Sequence, residues 1–484
     1  MTPTPQIPPA WSRCIATPGE EFPATALEVR AGALPPGLRG TLYRNGPARL
    51  ERGGVHVGHW FDGDGAVLAV RFGGDGASAI YRYVQTREFE AEADAGRLLY
   101  GGYGMTAPGS VWNQWRRPLK NAANTSVLAL PDRLLALWEG GQPHALDLET
   151  LETRGLDDLD GSLTFGDGAT GETAYSAHPK RDPETGEIFN FGTAMRGRGT
   201  VLRLFRSGPD GRVAAHAEHR LDGTPLIHDF VLAGPWLVFL VPPVRVRLLP
   251  VMTGVASFSE AMRWRPELGT QVLVFDRESL ALSARAELPA GYQWHFGNGA
   301  AAEDGWAVLD HARYDDFATN QHLREVASGR TVTPAPATLW RLTLDPRTGR
   351  VHEHAEVCDR SLEFPVVAPA RCGQPWSRTY CALHRAGTDT ATERYDAIGC
   401  FDHATARLTE ADLGDGRYPS EPILAPDADH DDGRHWLLTL VYDGNIDASE
   451  VWVFDAERLE DGPACVLGLP KVIPFGFHGC WNPA

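Results

Sequence analysis

The chain has 484 residues, a net charge of −18 and a pI near 5.4. So acidic a protein repels phosphate backbones, which excludes nucleic acid as an expected partner. Glycine and proline make up about 18% of it, above the roughly 12% of average usage, and 43% of residues are hydrophobic; together these predict a large core of short strands joined by tight turns.

The opening, MTPTPQIPPAWSRC, has no apolar stretch of the kind a secretory signal needs, so a cytoplasmic protein is expected. From there an apolar alternating strand, an Asp-x-x-Thr or Asp-Gly turn and a second strand recur. Instances start at Val67, Pro143, Val201, Val272, Leu339, Ile398 and Val451. Each reads as a hairpin with period-2 patterning. One unit per roughly 69 residues suits four-stranded blades, and a ring of blades is a β-propeller. Seven such hairpins could also fill two β-sandwiches. The expectation is all-β: a seven-bladed β-propeller forming a single domain over 1–484.

Two stretches break the rhythm: Gly109–Ser126 and Arg245–Trp264. Both mix Trp and Leu with Arg, and the second adds Met. They are predicted as helical or loop insertions, around 103–126 and 245–268, capping one face. They would pack as a lid, or form an apolar tunnel mouth that touches membranes peripherally. The most apolar run, Phe230–Val244, has 15 residues with Gly and Pro inside, too short to span a bilayer. Seven cysteines without CxxC spacing suggest neither a disulfide framework nor a zinc knuckle.

Several motif matches fail. Three lysines occur and none follows glycine, so no P-loop is present. GDGATG (Gly166–Gly171) precedes a strand-like segment and reads as a turn. FDGDG (Phe61–Gly65) lacks the later ligands of a calcium loop and is predicted as a solvated turn. DADHDDG (Asp427–Gly433) is predicted as an exposed acidic turn. His352 and His354 share a strand face, where two imidazoles could pair on a metal.

Four histidines have a different setting: His178, His228, His295 and His478 sit where apolar strands begin or end. A lone histidine of this kind is usually a hydrogen-bonded core residue. In a propeller the inner strands converge on one axis, and Glu139, Glu363 and Glu421 have similar contexts. Sorted together, the seven positions lie 39 to 68 residues apart, one polar residue for each repeat. An axial cluster of four His and three Glu is expected. Metal-bound imidazoles need their second N–H held, often by a carboxylate, so the glutamates read as orienting partners. Four neutral imidazoles suit a divalent first-row metal such as Fe, Zn, Cu or Ni.

At these residues the chain resembles the carotenoid cleavage oxygenases, a family that includes apocarotenoid oxygenases, stilbene-cleaving dioxygenases and the retinoid isomerase of the eye. The likeness runs through Leu34–Glu51, Gly58–Val67, Lys120–Leu128, Leu134–Asp147, Ser176–Gly192, IHDFVL, EFPVV, SEPILAP, Trp436–Asp443 and GFHG. It implies one non-haem Fe(II) per chain, held by His178, His228, His295 and His478, with Glu139, Glu363 and Glu421 bonded to three of them. It implies cleavage of a conjugated C=C bond of an apolar polyene by O2, giving two carbonyl products. In the stilbene-cleaving branch a lysine typically precedes the first of these glutamates; here the residue is Trp138, so a carotenoid or apocarotenoid is expected in preference to a stilbene. A non-catalytic binding scaffold is the reading from a different class. One departure stands out. The family often has larger residues after the third histidine, where this chain has Phe296, Gly297, Gly299 and Ala300, and smaller side chains there could widen the space near the metal.

Overall fold

Each of the seven predicted hairpins lies in a different antiparallel sheet of the computed structural model. That model describes residues 8–484 except 111, 114–116, 118, 168–170, 198 and 431–432. The pairs include Asp64–Gly73 with Gly76–Tyr83, Gly199–Ser207 with Val213–Leu221 and Ala448–Asp455 with Pro463–Gly468. The sheets have four to six strands and are arranged as a seven-bladed β-propeller. The turns form for a local reason: an aspartate accepts from the backbone two and three residues on. Asp147 Oδ1 takes the N–H groups of Glu149 and Thr150 at 2.9 and 2.8 Å, and Asp402 Oδ1 those of Ala404 and Thr405 at 3.0 and 2.9 Å.

The ring is closed twice. Strand Gly479–Pro483 pairs with Gly40–Arg49, setting Cys480 opposite Tyr43, and becomes the inner strand of the first blade. Glu28–Gly32 pairs with Pro463–Gly468 in the last blade. Between blades the strand faces interlock: Phe189, Phe205, Phe230, Phe239 and Phe275 are fully buried. Burying a Phe side chain contributes about 1.5–3 kcal/mol, so a ring of such interfaces holds the blades in fixed register.

The Arg245–Trp264 insertion is a ribbon that carries two short helices. Val244–Val246 and Met262–Trp264 pair as a ribbon, and helices Leu248–Met252 and Phe258–Ala261 lie between them. Pro250, Gly254 and the capping box of Ser257 with Glu260 break the segment before an apolar stripe can develop. Leu249, Met252 and Val255 are exposed at its tip. Of the other insertion, positions 111, 114–116 and 118 lie outside the described residues, as do 168–170 of the GDGATG turn and 431–432 of the acidic turn.

FDGDG is not a solvated turn. Asp62 and Asp64 are buried. Asp62 accepts from Gly104 N at 3.0 Å, and burial pushes its carboxyl up to about 7. Asp64 pairs with Arg52 at 2.9 Å and with Lys120. Among the described residues no helix is long and apolar enough to cross a membrane.

Candidate metal centre

Six of the seven expected residues sit at or near the axial end of an inner strand. His178 precedes Lys180–Arg181, His228 precedes Val231–Ala233, and His478 directly precedes Gly479–Pro483. His295 lies within Tyr292–Ala301, Glu363 within Leu362–Val366, and Glu421 just before Ile423–Pro426. Glu139 breaks the pattern. It follows Leu134–Leu137, the second strand of its blade, whose inner strand is Ser126–Ala129. The residue at that inner-strand position is Thr125, which also faces the site. The even spacing that suggested one residue per repeat therefore merged two kinds of position.

Two of the residues need irregular backbone. Pairing of Tyr292–Ala301 with Ala307–Tyr314 slips between Gln293 and Phe296 and again between Phe296 and Asn298, so His295 sits at a bulge. Phe364, next to Glu363, has a φ of 54°, which a bulky residue rarely adopts. Its N–H donates to Glu363 Oε2 at 2.6 Å, and its ring stacks on His295 at 5.1 Å. Strain of this kind costs on the order of 1–3 kcal/mol and persists where surrounding contacts over-determine it.

The ring nitrogens of His178, His228, His295 and His478 all lie within 4.8 Å of one another. Three rings are held from behind. His295 Nδ1 donates to Glu363 Oε2 at 2.6 Å, and His478 Nδ1 to Glu421 Oε1 at 2.8 Å. His228 Nδ1 lies against Glu139 Oε1. His178 has no such partner: Asp229 Oδ1 is 3.9 Å from its Nδ1 and is taken by Lys180 at 2.8 Å.

The glutamates are themselves held to different degrees. Glu421 Oε2 accepts from Arg44 Nη1 at 2.9 Å and Gly479 N at 3.0 Å. Glu363 Oε1 accepts from Tyr314 Oη at 3.0 Å. Burial alone would raise Glu421, but His478 and Arg44 outweigh it and keep the carboxyl below the usual range. Burial lowers His478, and burial together with the other imidazoles lowers His178 well below the ordinary value. Burial also pulls on His295, yet the Glu363 carboxylate overrides it and holds that ring above the ordinary value.

This donor set fits a cation. A carboxylate only accepts, so Glu363 and Glu421 fix a ring proton on Nδ1 of His295 and His478. His178 Nε2 lies 2.9 Å from His228 Nε2, which lies 3.3 Å from His295 Nε2. The free ends of these rings thus converge on one point, as the ligands of a single first-row divalent ion with bonds of about 2.1 Å would. Among the described residues, these four form the one group of three or more ligating side chains. His352 is not part of such a group; it is exposed, against the Trp306 ring. His354 Nε2 instead meets His311 Nε2 at 3.2 Å.

A cavity opens onto His228, His295 and His478, enclosing with its mouth about 1630 Å³ of space not filled by atoms. Its walls are mainly apolar and aromatic, including Phe61, Tyr103, Trp138, Leu226 and Trp294. The cavity wall reaches beyond the two insertions. Helix Ala318–Val326 contributes Thr319, His322 and Leu323, and Trp294 Nε1 donates to Thr319 Oγ1 at 2.9 Å. Sequence reasoning missed that helix, Trp60, Phe61 and the loop around Arg394; the one available signal was the aromatic company of His295 in YQWHFG. The small residues after His295 do not widen the site, because none lines the cavity. A Cβ on Gly299 would come within 3.0 Å of Leu232 O and Val231 of the neighbouring blade, so that glycine serves close packing.

A propeller with four imidazoles converging on its axis defines a metal-binding enzyme with a deep apolar cavity. Its sequence says which one: residues 15–483 match the model of the retinal pigment epithelial membrane protein family, and the chain belongs to that family of carotenoid cleavage oxygenases. It is 33% identical to the apocarotenoid-15,15'-oxygenase of Synechocystis, over 98% of this chain and 96% of that one. It is 29% identical to resveratrol cleavage oxygenase 1 of Aspergillus fumigatus and 27% identical to isoeugenol monooxygenase of Pseudomonas nitroreducens, each over 94% of this chain and over 91% and 94% of theirs. The crystal structure of cobalt-substituted Synechocystis apocarotenoid oxygenase superposes with a TM-score of 0.88 at 31% identity, covering 98% of both chains. These relatives make the chain an oxygenase.

Proposed function

We propose that this chain is a non-haem Fe(II)-dependent dioxygenase that cleaves a conjugated C=C bond of a carotenoid or apocarotenoid. One O2 is consumed, each alkene carbon gains one oxygen atom, and two carbonyl products leave. His178, His228, His295 and His478 would hold the iron, and Glu139, Glu363 and Glu421 would orient three of them. The iron supplies activation of O2 beside the alkene. The chain supplies the rest: fixed ring tautomers, a cavity that excludes water, and aromatic walls that hold the polyene in one register.

The observation that carries this reading is the convergence of four imidazoles, their ring nitrogens within 4.8 Å of one another, beneath an apolar cavity. The second reading, a stilbene or phenylpropanoid dioxygenase, is supported by the resveratrol- and isoeugenol-named relatives. Trp138 argues against it, since an indole on the cavity wall cannot bind a phenolate as a charged side chain can. The reading includes a single propeller domain over 1–484, lidded by the insertions, in a cytoplasmic enzyme that meets membranes peripherally. Exposed Leu249, Met252 and Val255 support the last point.

The test is metal analysis of the purified protein, then anaerobic Fe(II) loading and exposure to apocarotenals and resveratrol in air, with products identified by mass spectrometry. Stoichiometric iron and two aldehydes from an apocarotenal are expected. No iron uptake and no turnover would leave only the binding scaffold; turnover of resveratrol alone would select the second reading.

A further inference from the structure

One cation facing the cavity has no anionic partner. Arg394 lies in the loop between strands Arg378–Leu383 and Ala397–Asp402 and lines the same cavity as His228, His295 and His478. Its guanidinium rests against rings, 5.0 Å from the centre of Trp60, 5.7 Å from Tyr395 and 6.0 Å from Phe475. Among the described residues no carboxylate reaches it. The groups that favour its charge are Tyr395, Tyr314 and Cys14, and burial keeps all three protonated. Burial is also the main influence on Arg394 itself and lowers it. The residue is half-buried by accessible surface and lines the cavity.

The carboxylates nearby in sequence are committed elsewhere. Glu393 accepts from Tyr418 Oη at 3.1 Å. Asp396 accepts from Arg385 Nε at 3.1 Å and Thr388 Oγ1 at 2.7 Å, and Asp389 from Thr392 Oγ1 at 3.0 Å. Partial burial of a guanidinium with no anion beside it is unfavourable, and the cation–π contacts offset only part of that cost. They leave the five N–H donors unused, and the planar fork of those donors matches a carboxylate better than any other group.

We propose that Arg394 is the docking point for a carboxylate at one end of the polyene, so that the preferred substrate is a carotenoid-derived acid. This rests on the dioxygenase reading above and specifies its substrate. Anchoring one end on the cavity wall fixes which double bond is held beside the imidazoles. An alcohol or aldehyde of the same length gains one weaker bond and no charge neutralisation.

The experiment compares an apocarotenoic acid with the alcohol of equal length on the Fe(II)-loaded enzyme. The wild type is expected to favour the acid in kcat/KM by about 10- to 100-fold, as a charge-assisted bond gives. Arg394→Leu should bring that ratio near one, and Arg394→Lys should keep most of it. Arg394→Gln, which retains the stem and a flat end without charge, serves if the leucine variant fails to fold. A wild-type ratio near one, or a ratio unchanged in the uncharged variants, overturns the proposal. If no polyene is cleaved at all, the dioxygenase reading fails, and quenching of protein fluorescence by the two ligands still decides the anchor. Acid affinity at least 10-fold weaker in Arg394→Gln supports it; equal affinity overturns it.

Discussion

Glu421 is gripped from two sides: His478 Nδ1 donates to one oxygen at 2.8 Å and Arg44 Nη1 to the other at 2.9 Å. Arg44 is itself buried and also donates to Phe477 O at 3.2 Å, so the N-terminal strand that carries it orients a histidine near the other end of the chain. Replacing Arg44 with Met should leave a buried carboxylate uncompensated and destabilise the fold by about 3–5 kcal/mol. Urea unfolding checks this; a change under about 1 kcal/mol would mean that Glu421 is carried by its other partners.

The centre and its supports should separate cleanly. His228→Ala is expected to lose stoichiometric metal and activity together. Glu363→Ala should keep part of the metal and turn over about 10- to 100-fold more slowly. It also removes the acceptor that holds Phe364 in its left-handed conformation. Metal content by emission spectrometry and single-turnover rates test both, and wild-type values for the pair would remove the axial centre from the mechanism.

Trp138 offers a specificity switch. Its ring lies against Gly140, where a Cβ would fall 2.6 Å from the indole, so the side chain is held on the cavity wall. Trp138→Lys should raise kcat/KM for resveratrol relative to an apocarotenal by about tenfold or more, the value of one charge-assisted bond. An unchanged ratio would show that phenol selection lies elsewhere in the cavity.

Acid should unfold the protein early. Burial pushes His144, His322 and His384 down to about 4 and His59 to about 3. Each stays neutral in the fold but takes a proton in the unfolded chain below about pH 6.5. Unfolding therefore binds protons, and stability present above pH 6.5 is lost as pH falls towards 4. At pH 5.5 each costs on the order of 1 kcal/mol, together a large share of a typical stability. Urea midpoints should fall between pH 7.5 and 5.5; a flat profile would mean these histidines are protonated in the fold.

The ring was legible because its determinants are local. An aspartate two residues ahead of a turn and a period-2 strand on each side suffice to mark Thr270–Asp276 with Leu282–Leu288 or Ala397–Asp402 with Arg407–Asp412. His178, His228 and His478 were legible for the same reason, as polar residues at apolar strand ends. What was hidden depends on tertiary placement. A bulge at His295 and a positive φ at Phe364 leave no sequence pattern. Glu139 matched the spacing while standing on a second strand, and Thr125 passed as an ordinary residue at the true inner position. Trp60 and Arg394 are 334 residues apart in sequence, and only the closed ring stacks one on the other.

The double closure of the ring also sets an order of events. The strand that follows His478 completes the first blade by pairing with Gly40–Arg49, so a ribosome must release nearly the whole of this sequence before the fourth imidazole can join the other three. A nascent chain stalled in the seventh blade therefore holds at most three of its histidines in place, and a metal ion would meet all four only once that strand has paired.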